Sequence, residues 1–279
     1  MTRKTLHRSV LALAIAGSFA SCQKSSLPET TNNLITADEK ALVAAAGFNS
    51  NWFEKTSSGD YLIEGDILLS KAQLKDLEGK NPSNNFIVAD EEHYRTFNIV
   101  ATPTGTRTIT VSMTSGFPTY FYTALDKAIA RYNSYSLKIN FQKVASGGDI
   151  VVTAANLGTS GGGCILGQAS GFPDANGNPS KGFTLSNSSC ATSYINTEEK
   201  ADEVIAHEMG HCIGFRHTDY KKRSSCGPGA GETAGSIGAV YIPGTPTNVS
   251  GSYDSWMMAC TNGKANFNAD DVIALQQVY

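Results

Sequence analysis

Apolar residues recur at helical spacing between Thr119 and Tyr132, through Tyr122, Leu125, Ala128 and Ile129, and again after Thr197, through Ala201, Val204, Ile205, Met209 and Ile213. Positions three and four apart share a helix face, so both stretches predict helices with one buried side. Thr197 is placed to cap the second helix, and Glu198 and Glu199 stand where the positive helix end favours acids. Residues 108–113 alternate, and 137–144 and 149–153 are further extended runs, which predicts a strand, helix, strand, strand order. Residues 166–169 predict an edge strand and 183–185 another. Upstream, residues 37–46 predict a helix and residues 60–69 two extended pieces about a glycine turn. Ser70 is then expected to cap a helix running to Leu77. Residues 99–107, with Pro103 and Gly105, show little periodicity and predict a linker.

At 41% hydrophobic and 17% charged residues the chain has a globular composition, and 22 Lys and Arg against 25 Asp and Glu argue against a nucleic-acid partner. Arg3, Lys4 and Arg8 precede the apolar run 10–16, the pattern of an export signal too short to span a bilayer. Small residues then lead into Cys22, which resembles the lipobox of bacterial lipoproteins and implies lipidation of that cysteine. An ordinary secretory signal cut near Ser21 fits the same residues. Removing residues 1–21 leaves 19 basic against 25 acidic side chains, a balance of −6, so membrane contact is expected through the lipid. The expected layout is a signal peptide over 1–21, a tether and prosegment over 22–104, and a main domain over 105–279. The protein is expected to be monomeric and to reside at the outer membrane on its periplasmic or surface side, with release on activation as an alternative. The glycines at 161–163 read as a turn, without the lysine of a phosphate loop. Oxygen-bearing side chains alternate in Asp174-Ala175-Asn176-Gly177-Asn178, which would suit Ca2+, although a plain Asn/Gly/Pro loop fits them better.

The chemistry concentrates in His207-Glu208-Met209-Gly210-His211. Histidines four apart lie one turn apart, so both imidazoles can face one Zn2+, with Glu208 beside them as general base for a water. His217 lies six residues further on, too far up a continued helix, so the chain must turn, and Gly214 can take the left-handed conformation that ends a helix. Three imidazoles leave a position open for catalysis. Asp219, two residues on, is placed either to orient His217 or to cap a turn.

These residues resemble the signature of the metzincin clan of zinc peptidases, HExxHxxGxxH followed by a methionine turn. HEMGHCIGFRHTD is closer still to the bacterial dual-action HEIGH metallopeptidases, with Met209 where that name has Ile. The resemblance covers about residues 105–279 and implies an α+β zincin-type domain: a twisted mixed sheet, an active-site helix, and a small C-terminal subdomain with a closing helix. Ser255-Trp256-Met257 resembles the turn, making Met257 the expected methionine, with Met258 as the alternative. Asn268 is expected to cap the closing helix. Ala259 stands where astacins place a tyrosine ligand, so none is expected, and no histidines remain for a second, structural zinc. By analogy the 166–169 edge would pair with an extended peptide substrate, and the wall of the specificity pocket would come from 227–250.

Ile63-Glu64-Gly65-Asp66 resembles the FxGD segment of astacin propeptides, which implies Asp66 as a latency switch, with activation near Arg95 or Arg107. An ordinary hairpin turn fits the same residues. Of the cysteines after Cys22, we expect Cys164 to pair with Cys190 and Cys226 with Cys260, leaving Cys212 buried. The sequence thus predicts an exported zinc endopeptidase acting on peptides or proteins. The competing reading is a surface lipoprotein using the same scaffold for binding or adhesion.

Overall fold

Thr36 opens helix α1 (Ala37–Ala45) with a capping box, its hydroxyl accepting from the Glu39 N–H while the Glu39 carboxylate accepts from the Thr36 N–H. The computed structural model describes residues 34–79, 93–160, 162–227, 231–247, 253–261, 263 and 265–279, so the export signal, Cys22 and Gly161 lie outside the described residues. Strands β1 (Phe53–Lys55), β2 (Tyr61–Ile63) and β3 (Ile67–Leu69) follow as an antiparallel meander. Helix α2 (Lys71–Leu77) starts at Ser70, as predicted, with Gln73 completing a second capping box. Val43, Phe48, Phe53, Tyr61, Ile67 and Leu74 bury one another in a small core, to which Ile237 and, more partially, Phe172 contribute from downstream.

The second core belongs to the rest of the chain. After β4 (Tyr94–Arg95) come β5 (Arg107–Met113), helix α3 (Thr119–Asn133), β6 (Ile139–Lys143) and β7 (Ile150–Ala155). The predicted strand, helix, strand, strand order holds, and α3 buries Phe121, Ala124, Leu125, Ala128, Ile129 and Tyr132, the helical stripe read from the sequence. A hairpin, β8 (Thr159–Ser160) with β9 (Gly163–Cys164), leads into β10 (Gly167–Ala169), β11 (Gly182–Ser186) and the short α4 (Ser189–Tyr194). Helix α5 (Glu198–Cys212) begins at Thr197, whose hydroxyl accepts from the Lys200 N–H. Val240–Tyr241 forms β12, and α6 (Ala269–Val278) closes the chain from the Asn268 cap.

The main sheet runs β1-β2-β3-β10-β11-β7-β5-β6. Strands β6, β5, β7 and β11 are parallel neighbours, β10 is antiparallel to β11, and β3 lies parallel to β10. This corrects one expectation. The 166–169 strand is not an edge, because β3 from the N-terminal segment covers the side on which a substrate was expected to pair. Helix α5 packs against β10 and β11 and alongside α3, which itself packs on β6, and the buried Asp202 pairs with Arg131 of α3. Residues 99–107 contain no regular element before Arg107, yet Val100 is buried and its N–H donates to the Tyr279 hydroxyl. At Asp174 both carboxylate oxygens accept from its own loop, from the N–H groups of Asn176 and Asn178 and from the Asn178 amide. Those oxygens are engaged within the loop, so the plain Asn/Gly/Pro loop accounts for the segment. Cys164 pairs with Cys190 and Cys226 with Cys260, and Cys212 is buried and free, as expected.

His93, the histidine without a place in the sequence pattern, is 1% exposed, and its Nε2 lies 2.7 Å from Asp271 of α6. The other Asp271 oxygen accepts from the N–H groups of Asn268 and Trp256. Strand β4 pairs with β12, Arg95 bridges Phe215, and the Thr96 N–H donates to the Gly214 carbonyl. Residues 93–100 are thus built into the main domain, upstream of the boundary read at 104. Substituting His93→Ala strands a buried carboxylate, and we expect a loss of about 1–3 kcal/mol. The check is urea denaturation, in which the midpoint should fall with an unchanged slope.

Candidate metal centre

Helix α5 carries His207 and His211 one turn apart and ends at Cys212, with Ile213 as its C-cap. Gly214 then has a φ of +108°, and a Cβ there would stand 3.1 Å from both the Asn98 carbonyl and the Thr96 hydroxyl. Both facts call for glycine, and the turn brings His217 back to the helix as the spacing predicts. The three ring centroids lie 4.7–5.3 Å apart. Each Nδ1 faces its own acceptor: the Trp256 carbonyl for His207 at 2.9 Å, the Phe215 carbonyl for His211 at 2.8 Å, and the Glu232 carboxylate for His217. With Nδ1 engaged in this way, it is Nε2 of each ring that is left to ligate.

Asp66 stands at the focus of these nitrogens. Its Oδ2 is 2.5 Å from His217 Nε2, 3.5 Å from His211 Nε2 and 3.9 Å from His207 Nε2, and one ligand atom from each of the four residues falls within 4.8 Å of the others. Both Asp66 oxygens, His211 Nε2, His217 Nε2 and Glu208 Oε2 are buried without a hydrogen-bond partner; the short His217–Asp66 contact is an ion pair without hydrogen-bond alignment. Buried polar atoms in native proteins are almost always satisfied, so this concentration of orphans fits a site for a metal ion. Its nitrogen and oxygen donors suit a divalent transition metal.

Electrostatics sharpen the picture. Burial pulls His211 down to about 4, which keeps it neutral and able to ligate. Burial also opposes protonation of His217, but the charges of Asp66 and Glu232 outweigh it and lift that group to about 10. Asp66 is driven the other way: burial favours its neutral form, yet His217 and the other two imidazoles hold it well below the usual carboxylate range. Burial first, and the charge of Asp66 second, push Glu208 well above its usual value. Glu208 lies against Gly167 of β10, where an added Cβ would come within 2.3 Å of its Oε1, so the strand beside the site tolerates no side chain there.

Met257 is buried under the helix as expected of the turn methionine, and its Sδ would lie 2.4 Å from a Cβ at Gly210. Trp256 donates from Nε1 to the Tyr132 hydroxyl, which donates to the Ala206 carbonyl, tying the turn to α3 and α5 immediately before His207. Asp219 binds the N–H and hydroxyl of Ser225 and the N–H of Ala259, so it caps turns around the Cys226–Cys260 bridge, and the partner of His217 is Glu232. Sequence reading missed Glu232. The one available signal is that it is the lone carboxylate in 227–250. A cleft of about 840 Å³ opens beside the site, lined by Asp66, His207, Glu208, Arg223, Met258 and Thr261 among others. Of the described residues in 227–250 only Gly227 reaches it, whereas Met258, Ala259, Cys260 and Thr261, from the segment after the methionine turn, line it.

A mixed α+β frame, with three histidines and a glutamate gathered at the end of one buried helix, marks a metallopeptidase of the metzincin-type zincin fold. More narrowly, residues 61–279 match the dual-action HEIGH metallo-peptidase family, and the chain belongs to it. The matched stretch begins at Tyr61 and so includes β2, β3 and Asp66. Among solved structures the chain has a weak likeness to myroilysin, at 20% identity over 40% of this chain and 42% of that one, with a TM-score of 0.28. No curated protein matches. Disulfides accord with an exported protein, and no described helix is long and apolar enough to cross a membrane.

Glu232→Gln should weaken metal binding by about 10- to 100-fold, because the His217 ring loses its charged acceptor. Competition with a chromophoric chelator measures this. Asp219→Asn in the same assay should leave affinity near that of the parent chain.

Proposed function

We propose that this protein is an exported zinc endopeptidase held latent by its N-terminal segment. The observation that carries the reading is the position of Glu208, adjacent in sequence to one histidine of the cluster and facing the cleft. His207, His211 and His217 would hold the zinc ion. When bound, zinc supplies a Lewis acid that polarises the scissile carbonyl and makes water a better nucleophile. Glu208 accepts the proton of the attacking water at its carboxylate and delivers it to the leaving amine. Departure of Asp66 removes the second cause of the raised Glu208 value and readies that carboxylate to act as a base. Met257 supports the His207–His211 turn of the helix from below.

Latency rests on two contacts. Asp66 takes the place at the imidazoles that the reaction needs, and β3 occupies the free side of β10, where the Ala169 N–H donates to the Asp66 carbonyl. Arg95 and Arg107 both stand in paired strands, and His93 is tied to Asp271, so the released piece ends upstream of His93. Lipidation at Cys22 would leave the anchor with that piece and free the enzyme.

Hydrolysis of a peptide library tests the reading. Protein processed upstream of His93 should cleave, with activity lost on chelation and restored by zinc, and Glu208→Gln should lower the rate by about 100- to 10,000-fold while zinc content is kept. Unprocessed Asp66→Ala protein should be more active than the unprocessed parent. Absence of cleavage by every form would favour binding or adhesion instead, and equal activity of the two unprocessed proteins would remove Asp66 from latency.

A further inference from the structure

Two residues before Asp66, a second carboxylate of the N-terminal segment is buried in the main domain. Glu64 is 0% exposed, its Oε2 accepts from Arg216 Nη2 at 2.8 Å, and its Oε1 accepts from the Thr233 N–H at 3.1 Å. Its φ is +56°, and Gly65 follows at +91°. A left-handed position that favours glycine here holds a glutamate, so the strain is tolerated for the sake of its carboxylate. Asp66 blocks the imidazoles; Glu64 plays no part there.

Arg216 is built to receive that group. The remaining donors of its guanidinium end go to the carbonyls of Gly238, Ala234 and Thr233 and to Glu232 Oε2, and its plane lies 4.8 Å from the Tyr220 ring centroid. These contacts come from residues downstream of the N-terminal segment. What departs is Glu64, and with it Asp66. Of the charged side chains joined in this network, Arg216 and Arg223 then face Glu232 alone, so the cationic side is in excess. One guanidinium donor and one backbone N–H are left converging on the spot the Glu64 carboxylate held. Fixed, charge-assisted donors of this kind are a strong carboxylate receptor.

We propose that Arg216 and the Thr233 N–H form a carboxylate-binding subsite, filled by Glu64 in the latent chain and, after release, by an acidic side chain of the peptide substrate. The proposal deepens the peptidase reading and rests on it for the identity of the ligand, but not for the existence of the site. Glu64 therefore holds the place of a substrate residue, although β3 runs parallel to β10 and need not copy the direction of a bound peptide.

Two measurements decide it. In the full chain, Glu64→Gly suits the local backbone and Glu64→Ala keeps a Cβ, and both empty the cradle. Sodium acetate or propionate should raise the melting temperature of both variants over equal sodium chloride and leave the parent unmoved. No carboxylate-specific rise in either variant, or the same rise in the parent, overturns the subsite. The second arm needs no variant: processed parent protein is offered peptide pairs differing by Glu or Gln at each position flanking the cleaved bond. At one position the Glu member should be cleaved with a kcat/KM about 10- to 100-fold higher, the range expected for a hydrogen bond to a charged group, and acetate should erode that difference. Equal cleavage at every position overturns the use of the site by substrate. A processed protein that cleaves nothing counts against the peptidase reading, while the acetate measurement still decides the cradle.

Discussion

Every other feature of the site depends on what holds the far side of each imidazole. A histidine ligates well when its ring is oriented and its tautomer set, and both follow from the partner of the nitrogen that does not ligate. His207 is set by the Trp256 carbonyl, His211 by the Phe215 carbonyl and His217 by Glu232. Three different stretches must therefore arrive at one helix end. Gly210 lets the methionine turn close on α5, Gly214 allows the chain to reverse, and Tyr132 joins α3 to Trp256 and to the Ala206 carbonyl. Asp271 holds the Trp256 N–H, and His93 holds Asp271. The closing helix and strand β4, remote in sequence, are in this sense part of the metal site.

The N-terminal segment meets this machinery by charge. Two acids two positions apart, Glu64 and Asp66 about Gly65, reach one arginine and three imidazoles. A buried ion pair gains little net stability, since desolvation of both partners offsets their attraction, but removing one partner is costly. Under the proposed processing, the same balance would leave the imidazoles and Arg216 without the acids that match them. The proposed latency and the proposed recognition then share one physical basis, the exchange of an internal carboxylate for an external group.

Much of this was readable from local pattern. The four-residue spacing of His207 and His211, the glycine at 214, the caps at Thr36, Ser70, Thr197 and Asn268, and the stripe along α3 all express contacts within a turn or two of chain. Both disulfides also follow the pairing expected. The β10 edge, the partner of His217 and the wall of the cleft did not. Each involves residues far apart in sequence: Ile67 against Ala169, Glu232 against His217, and the segment after Met257 against α5. Asp219 was the nearest acid along the chain, but the turn in which it sits directs its carboxylate to Ser225 and Ala259.

The sequence by itself determined the histidine pair, the glutamate beside it and the helix that carries them, because hydrogen bonding and side-chain spacing along a helix are set by near neighbours. Tertiary structure alone decided what orients the third histidine, what covers the free side of β10 and where Glu64 and Asp66 rest. These depend on chain reversals and strand pairings whose cost and reward are shared over the whole fold, and no short stretch of residues encodes them.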